Sequence, residues 1–298
     1  MTDRHLTFAI FGNSFQPRKS TSLTKALAFL HSHGERVIVD RPFHEFLTMG
    51  QGIDLGNVGV FDGDDFDADY VISMGGDGTF LKSAVRVGKK QIPLVGINMG
   101  RLGFLADVLP AEVDDALNAI LCGNYGIEEH TAIEVSTTGG DFEGCHYALN
   151  DIAVLKRDVA SMISIRTSID DGYMVTYQAD GLIVSTPTGS TAYSLSNGGP
   201  IIVPQTHTLC LTPVAPHSLN IRPIVIGDSS KVRLEVESRS HNYLVAVDGR
   251  SYTMHEGSAI TIAKAPFVTR ILKPNGRRYF SSLREKMMWG ADKRGQQN

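Results

Sequence analysis

Five residues with the means to do chemistry stand together at Gly75-Gly76-Asp77-Gly78-Thr79. They follow a strand-like apolar run, residues 70–74, and precede residues 80–87, whose apolar spacing is helical. Glycine lacks a Cβ, so it can take positive φ and lets a phosphate approach the main chain. The start of a following helix aims unsatisfied N–H groups at an anion. An aspartate inside an anion loop repels its ligand, unless it meets Mg²⁺ or takes a proton from an attacking hydroxyl. Both roles belong to phosphoryl transfer. The plainer alternative is a tight turn with Asp77 as helix N-cap. The loop alone does not name a substrate.

Five further segments carry groups that could take part. Asn98-Met99-Gly100-Arg101-Leu102-Gly103-Phe104-Leu105 follows a strand-like run, so both glycine loops fall at carboxyl ends of strands, where open α/β sheets bind ligands. Asn98 can donate or accept there, near a phosphate or a base; a structural turn is the equal alternative. Asn150-Asp151 sits inside the apolar run 148–155. A carboxylate beside a carboxamide can read a nucleoside, the one accepting ribose hydroxyls and the other pairing with a base edge; a turn is the alternative. Residues 180–196 run from Asp180 through an apolar strand into a segment dense in Ser, Thr, Gly and Pro that includes Thr188, Thr191, Ala192, Tyr193 and Ser196. Short hydroxyl side chains hold polar ligand atoms at low entropic cost, and residues 190–196 can be helical. Residues 212–223 hold three prolines and His217, and read as a stiff extended connection. Val247-Asp248-Gly249-Arg250 reads as a β-turn.

The elements that must position these groups change character along the chain. Up to residue 125, strand-like runs (6–11, 37–39, 70–74, 92–97) alternate with helical periods (22–33, 80–87, 110–121). That alternation predicts a parallel sheet covered on both faces. Residues 51–69, rich in Gly and Asp, read as a mobile surface segment. From residue 126 to about 272 the pattern is short β-rich runs at 132–136, 148–155, 162–169, 181–185, 231–236, 243–247 and 258–262, with Asp170-Asp171-Gly172 as a hairpin turn. Residues 280–289 are helical again. The expected fold is an α/β Rossmann-like domain over residues 1–125, an all-β domain over 126–272, and a segment, 273–298, that returns to the first domain.

Bulk properties bound the partners. The chain of 298 residues is 42% hydrophobic and 20% charged, with a net charge of −4. That balance suits a globular protein and argues against nucleic acid as the main partner, which demands a basic face. Cys122, Cys145 and Cys210 are scattered and odd in number, so neither a disulfide framework nor a zinc motif is expected. No apolar run approaches the ~20 residues of a membrane span, and the first residues lack a signal-peptide stretch. A cytoplasmic setting without membrane partners is expected.

Taken in order, these segments resemble the NAD kinase family. Residues 75–79 look like its GGDGT motif, 98–105 like its Asn-x-Gly-x-Leu-Gly-Phe-Leu segment, and Asn150-Asp151 like its Asn-Glu or Asn-Asp pair. Residues 180–193 look like its DG…TPTGSTAY motif, and 212–223 like its TP…PHSL…RP stretch. The resemblance covers residues 70–289. It implies transfer of the ATP γ-phosphate to the 2′-hydroxyl of the adenosine ribose of NAD, giving NADP and ADP, with Mg²⁺ or another divalent cation brought by ATP and no fixed protein metal site. It implies Asp77 as the base and Gly75, Gly76, Gly78 and Thr79 around the donor phosphates. Gly78, Asn98, Phe104, Asn150, Asp151, Asp180, Thr188, Thr191, Ala192, Tyr193 and Ser196 would contact NAD, Asp180 and Ala192 toward the nicotinamide, Tyr193 and Ser196 toward the adenine. A homo-oligomer, dimer or tetramer, is implied. Many members carry Glu where this chain has Asp151, which lengthens the ribose contact or routes it through water.

Overall fold

The computed structural model describes residues 5–13, 20–100, 103–139, 142–158, 161–274 and 279–288. Arg101, Leu102 and Trp289, all within the motifs above, lie outside them. Two compact units emerge: Met1–Glu128 with Arg270–Asn298, and Glu129–Thr269.

The first unit alternates β1 (Thr7–Gly12), α1 (Ser20–Ser32), β2 (Arg36–Asp40), α2 (Arg41–Glu45), β3 (Gly59–Phe61), β4 (Tyr70–Met74), α3 (Asp77–Val87), β5 (Leu94–Ile97) and α4 (Val113–Leu121). Its strands pair in the order β3-β2-β1-β4-β5, all parallel. Phe8, Ile10, Val39, Ile72, Met74 and Val95 are buried, along with Leu23 and Leu30 of α1 and Leu117 of α4. Near-continuous apolar strands are what a sheet covered on both faces requires. The strand order reverses between β1 and β4, and β4 runs directly into Gly75 and Gly76. Such a switch point, at the carboxyl ends of the strands, is where open α/β sheets hold ligands.

Residues 51–69 run over the surface but are anchored. They contain β3, and Phe61 and Phe66 are buried against Phe11, with ring centroids 5.2 and 5.4 Å away. Arg86 of α3 ties the segment down by pairing with Asp40 at 2.7 Å and Asp64 at 2.8 Å, its guanidinium 4.7 Å from the Phe11 ring. The Gly and Asp content hides two aromatic anchors, Phe61 and Phe66, that meet Phe11 from far along the chain.

β6 (Tyr125–Thr137) carries the chain into the second unit, made of β7 (Tyr147–Ala148), β8 (Asp151–Lys156), β9 (Ile163–Ile169), β10 (Gly172–Ala179), β11 (Gly181–Ser185), the single turn α5 (Tyr193–Ser196), β12 (Thr208–Val214), β13 (Ile224–Gly227), β14 (Val232–Glu237), β15 (Asn242–Val247), β16 (Arg250–His255) and β17 (Ile260–Pro274). One antiparallel sheet runs β13-β12-β11-β8-β15-β16, and β10-β9-β14-β17 form a second antiparallel set. Tyr177, Ile165, Val232 and Ile262 of the second set share a core with Val154, Leu182, Leu211, Tyr243 and Val245 of the first. Asp170 and Asp171 take φ of 49° and 66° in the β9–β10 turn, and Asp248 and Gly249 take 46° and 78° in the β15–β16 turn. Two successive positive φ values match the right-handed twist of a hairpin.

Two expectations are corrected here. The run 148–155 is broken: β7 ends at Ala148, β8 starts at Asp151, and Asn150 lies in the corner between them. Thr212 and Pro213 do not open a loop but belong to β12, with Pro213 opposite Leu182. Proline fits there because the pairing of β12 with β13 stops at Leu211.

β17 returns the chain to the first unit, where Ile271 pairs parallel with Leu94, and α6 (Tyr279–Met287) follows.

Candidate active site

In the first unit the candidate residues gather around Asp77, the first residue of α3. Its Oδ2 accepts the N–H of Phe104 at 2.8 Å, and its Oδ1 accepts those of Leu105 and Ala106 at 3.0 Å. Three N–H groups from the second glycine loop thus aim one carboxylate, whose side chain stays 35% exposed. Gly103 is required by this approach: a Cβ there would overlap Asp77 Oδ1. Asn98 is buried; its Nδ2 donates to the Ala106 carbonyl at 3.2 Å and its Oδ1 accepts the Gly100 N–H at 2.5 Å. Through these two bonds the amide shapes the loop that holds Asp77.

The glycines of residues 75–79 do not work through positive φ: none of Gly75, Gly76 and Gly78 has it. Gly75 is small because the Thr79 side chain fills the space a Cβ would need, and its N–H is spent on the Ile97 carbonyl at 3.0 Å. Thr79 is buried and its N–H goes to the Gly76 carbonyl at 3.0 Å. Gly75 and Thr79 therefore build the loop. Gly76 and Gly78 face open space, the former half-buried and the latter exposed, at the N-terminal end of an 11-residue helix. An anion can approach the main chain at those two positions.

One residue that sequence reasoning missed stands beside this group. Lys286 of α6 places Nζ 4.0 Å from Asp77 Oδ2 and 3.8 Å from the Phe104 ring centroid. Burial pushes its ammonium down to about 8, against the opposing pull of Asp77 and Asp107. Asp107 itself is paired with Lys273 at 2.7 Å. A lysine some two hundred residues downstream gives no local sign of this contact.

In the second unit the candidates form a corner around Asn150 and Asp151. Asp248, at the tip of the β15–β16 turn, accepts the N–H groups of Leu149 at 2.9 Å, Asn150 at 2.9 Å and Asp151 at 3.1 Å. Thr186 closes the other side: its Oγ1 donates to the Leu149 carbonyl at 2.5 Å and its N–H to the Asn150 carbonyl at 2.8 Å. Gly189 lies so close that a Cβ would overlap the Asn150 carbonyl. So clamped, Asn150 holds its Oδ1 buried with no hydrogen-bond partner among the described residues. Such an acceptor is costly to leave unmet and suits a ligand N–H.

Asp151 is 6% exposed. Burial, with the neighbouring Asp248 charge adding to it, pushes its carboxyl up to about 7. Burial raises Asp248 too, but three N–H donors and the Arg250 charge favour its anion. With its carboxyl pushed up to about 7, Asp151 carries a proton in part of the population near neutrality and is then a donor as well as an acceptor. That differs from a carboxylate that only accepts. Asp248 was read as a turn residue, and its clamping of a segment 97 to 99 positions upstream left no local trace.

The hydroxyl-rich segment divides in two. Thr188 is buried, with Oγ1 2.8 Å from His130 Nδ1; Ser190 holds the Ile202 main chain; Ser194 meets Thr212 at 2.8 Å. These frame the segment. Thr191 and Ala192 are half-buried, Tyr193 is 39% exposed and Ser196 is exposed, so these remain accessible. Asp180 is not brought to Asn150: it precedes β11, paired with Lys156 at 2.7 Å, while Ser185 at the other end lies opposite Asp151. Five strand residues put the two ends ~17 Å apart. His217 is exposed, its N–H donating to the Gln178 carbonyl at 2.8 Å, and Arg250 reaches the Cys145 Sγ at 3.3 Å.

Known proteins bear on these arrangements. Residues 14–125 match the model of the ATP-NAD kinase N-terminal domain, and residues 149–273 that of the ATP-NAD kinase C-terminal domain. An NAD kinase of Bacteroides fragilis is 52% identical over 97% of this chain and 100% of its own length. One of Porphyromonas gingivalis is 43% identical over 95% and 98%. Among solved structures, yeast NADH kinase complexed with NADH superposes with a TM-score of 0.87 at 22% identity, over 97% of this chain and 89% of that one. An NAD kinase from Archaeoglobus fulgidus in complex with ATP gives 0.72 at 26% identity, over 94% and 99%. Both glycine loops, the clamped Asn-Asp corner and the hydroxyl-rich segment fall within the matched domains, and the chain belongs to the ATP-NAD kinase family.

Proposed function

We propose that the enzyme transfers the γ-phosphate of ATP to the 2′-hydroxyl of the adenosine ribose of NAD, with Asp77 as the proton acceptor. The observation that carries the role of Asp77 is its geometry: a carboxylate fixed by three main-chain N–H groups, one third exposed, at a helix N-terminus beyond the parallel strands. Phosphoryl transfer is mostly positioning and charge neutralisation. Asp77 orients the acceptor hydroxyl and takes its proton as the oxygen bonds to the γ-phosphorus and the bond to the β,γ-bridging oxygen breaks, releasing ADP. The open main chain at Gly76 and Gly78 receives donor phosphate oxygens. Asn150 Oδ1 accepts from the adenine amino group, and Asp151, carrying its proton, hydrogen-bonds the ribose. Thr191, Ala192, Tyr193 and Ser196 supply surface to the dinucleotide, Tyr193 as a stacking face, and Asp180 serves a separate part of it.

Among the described residues no three His, Cys, Asp or Glu side chains converge on one point. A Mg²⁺ ion that keeps several waters and takes its remaining oxygens from ATP fits such surroundings, and when bound it neutralises the donor phosphates. No helix among the described residues is long and apolar enough to cross a membrane. We assign a cytoplasmic setting, which the free thiols of Cys122, Cys145 and Cys210 suit, and a homo-oligomer built by the β-rich unit.

The test is formation of NADP⁺ from NAD⁺, ATP and Mg²⁺ by the purified protein, read with an NADP-specific dehydrogenase. Product that requires all three is expected. A folded protein that binds NAD⁺ and yields none would make it a dinucleotide sensor instead.

A further inference from the structure

Lys286 is held in surroundings unusual for a lysine. Its side chain is 10% exposed, its ammonium rests on the Phe104 ring, and among the described residues its nearest carboxylate oxygen, Asp77 Oδ2, is 4.0 Å off. Lysine is seldom buried unless closely paired, and 4.0 Å is a charge contact rather than a hydrogen bond. The other acid that acts on it, Asp107, is engaged by Lys273 at 2.7 Å. Asp77, for its part, already receives three N–H groups. With Asp77 already supplied with donors, the placement of this ammonium makes sense if another anion draws it during the reaction. A hydroxyl held ~3 Å from Asp77, with a phosphorus ~3 Å beyond it, puts phosphoryl oxygens within the sweep of a four-carbon side chain with three donors.

We propose that Lys286 is a further catalytic residue, whose ammonium turns from Asp77 onto the oxygens of the phosphoryl group in flight. The proposal rests on the reading of Asp77 as the base of NADP⁺ formation. Lys286 forms no bond and moves no proton. The 2′-oxygen bonds to the γ-phosphorus, ADP leaves with the electron pair of the broken bond, the hydroxyl proton goes to Asp77, and the ammonium neutralises charge on the three phosphoryl oxygens.

The experiment compares kcat and the KM for each substrate in wild type, Lys286→Met, Lys286→Gln and Lys286→Arg, with thermal melts of each. Removing one such charge-stabilising group typically costs 10²–10³-fold in kcat. The expected result is about a 100-fold fall in kcat for the Met and Gln variants, a KM for NAD⁺ within about twofold of wild type, and recovery of at least tenfold by the Arg variant. The Gln variant carries the test if the Met variant does not fold. A neutral variant whose kcat stays within about threefold of wild type overturns the proposal, as does an Arg variant no better than the neutral ones. A wild type without turnover would instead defeat the kinase reading itself, so the two failures are distinguishable.

Discussion

The two units of this chain use one device for two purposes. In each, an aspartate accepts N–H groups from three consecutive residues of a distant loop: Asp77 from 104–106, Asp248 from 149–151. The clamps differ in what stands on the far side of the carboxylate. Asp77 remains one third exposed and faces a lysine; Asp248 faces a second, buried carboxyl, Asp151. The same hydrogen bonds therefore leave one acid open to chemistry and commit the other to holding a corner. What separates a reactive carboxylate from a structural one here is access and neighbouring charge, not the number of donors.

The contrast can be broken at its strongest point first. Asp77→Asn keeps an oxygen for the clamp but removes the proton acceptor, and kcat for NADP⁺ formation should fall ~10²–10⁴-fold. The melting temperature should fall only slightly, since Asn keeps one oxygen for the clamp and the site is one third exposed. Asp248→Asn should show the reverse weighting. Weakening bonds from three N–H groups to a buried charged acceptor costs about 2 kcal/mol, read as a lower midpoint in urea unfolding. Activity should fall through a raised KM for NAD⁺ as Asn150 loses its aim, with kcat less affected.

The smallest effect is a pH dependence of stability. Asp151 ionises near 7 in the folded protein, well above the usual carboxylate range that it keeps when unfolded. Below that usual range both states are protonated and the residue is neutral to stability. Between about 4 and 7 the folded state binds the extra proton, so stability falls as pH rises, and above 7 the loss is complete. Asp151→Asn lacks this loss. Urea midpoints at pH 5 and pH 8 should show the variant gaining on wild type by ~1–2 kcal/mol over that interval, once hydration of the site is allowed for. No change in the difference between the two proteins would mean that Asp151 is ionised throughout.

Local signals in the chain carried a large part of this architecture. The strands at 70–74 and 181–185, the Asp170-Asp171 hairpin and the change from α/β to β-rich near residue 125 follow from periodicity and turn chemistry confined to a few residues. Boundaries blurred where polar residues interrupt an apolar run: Leu149 and Asn150 break what reads as one strand, because the corner is held by Asp248 and Thr186 rather than by its own pattern. Residues 51–69 read as mobile because Phe61 and Phe66, which pack on each other, are anchored by Phe11 from far along the chain. The candidate site followed the same rule. Asp77 was legible because glycines surround it in sequence. Asp248 and Lys286 were not, since each meets the site from far along the chain and announces itself by nothing nearby. The reason for the glycines was also hidden: Gly75 and Gly103 are small to admit Thr79 and Asp77, a fact of packing rather than of backbone conformation.

The central claim, that the clamp on Asp77 presents a base and not a structural acid, is tested most directly by measuring NAD⁺ binding and turnover together on Asp77→Asn. The account predicts NAD⁺ binding within about threefold of wild type, a melting temperature only slightly lowered, and turnover reduced at least ~100-fold. Turnover close to wild type would contradict it, and so would a loss of activity that merely follows a loss of fold or of NAD⁺ binding.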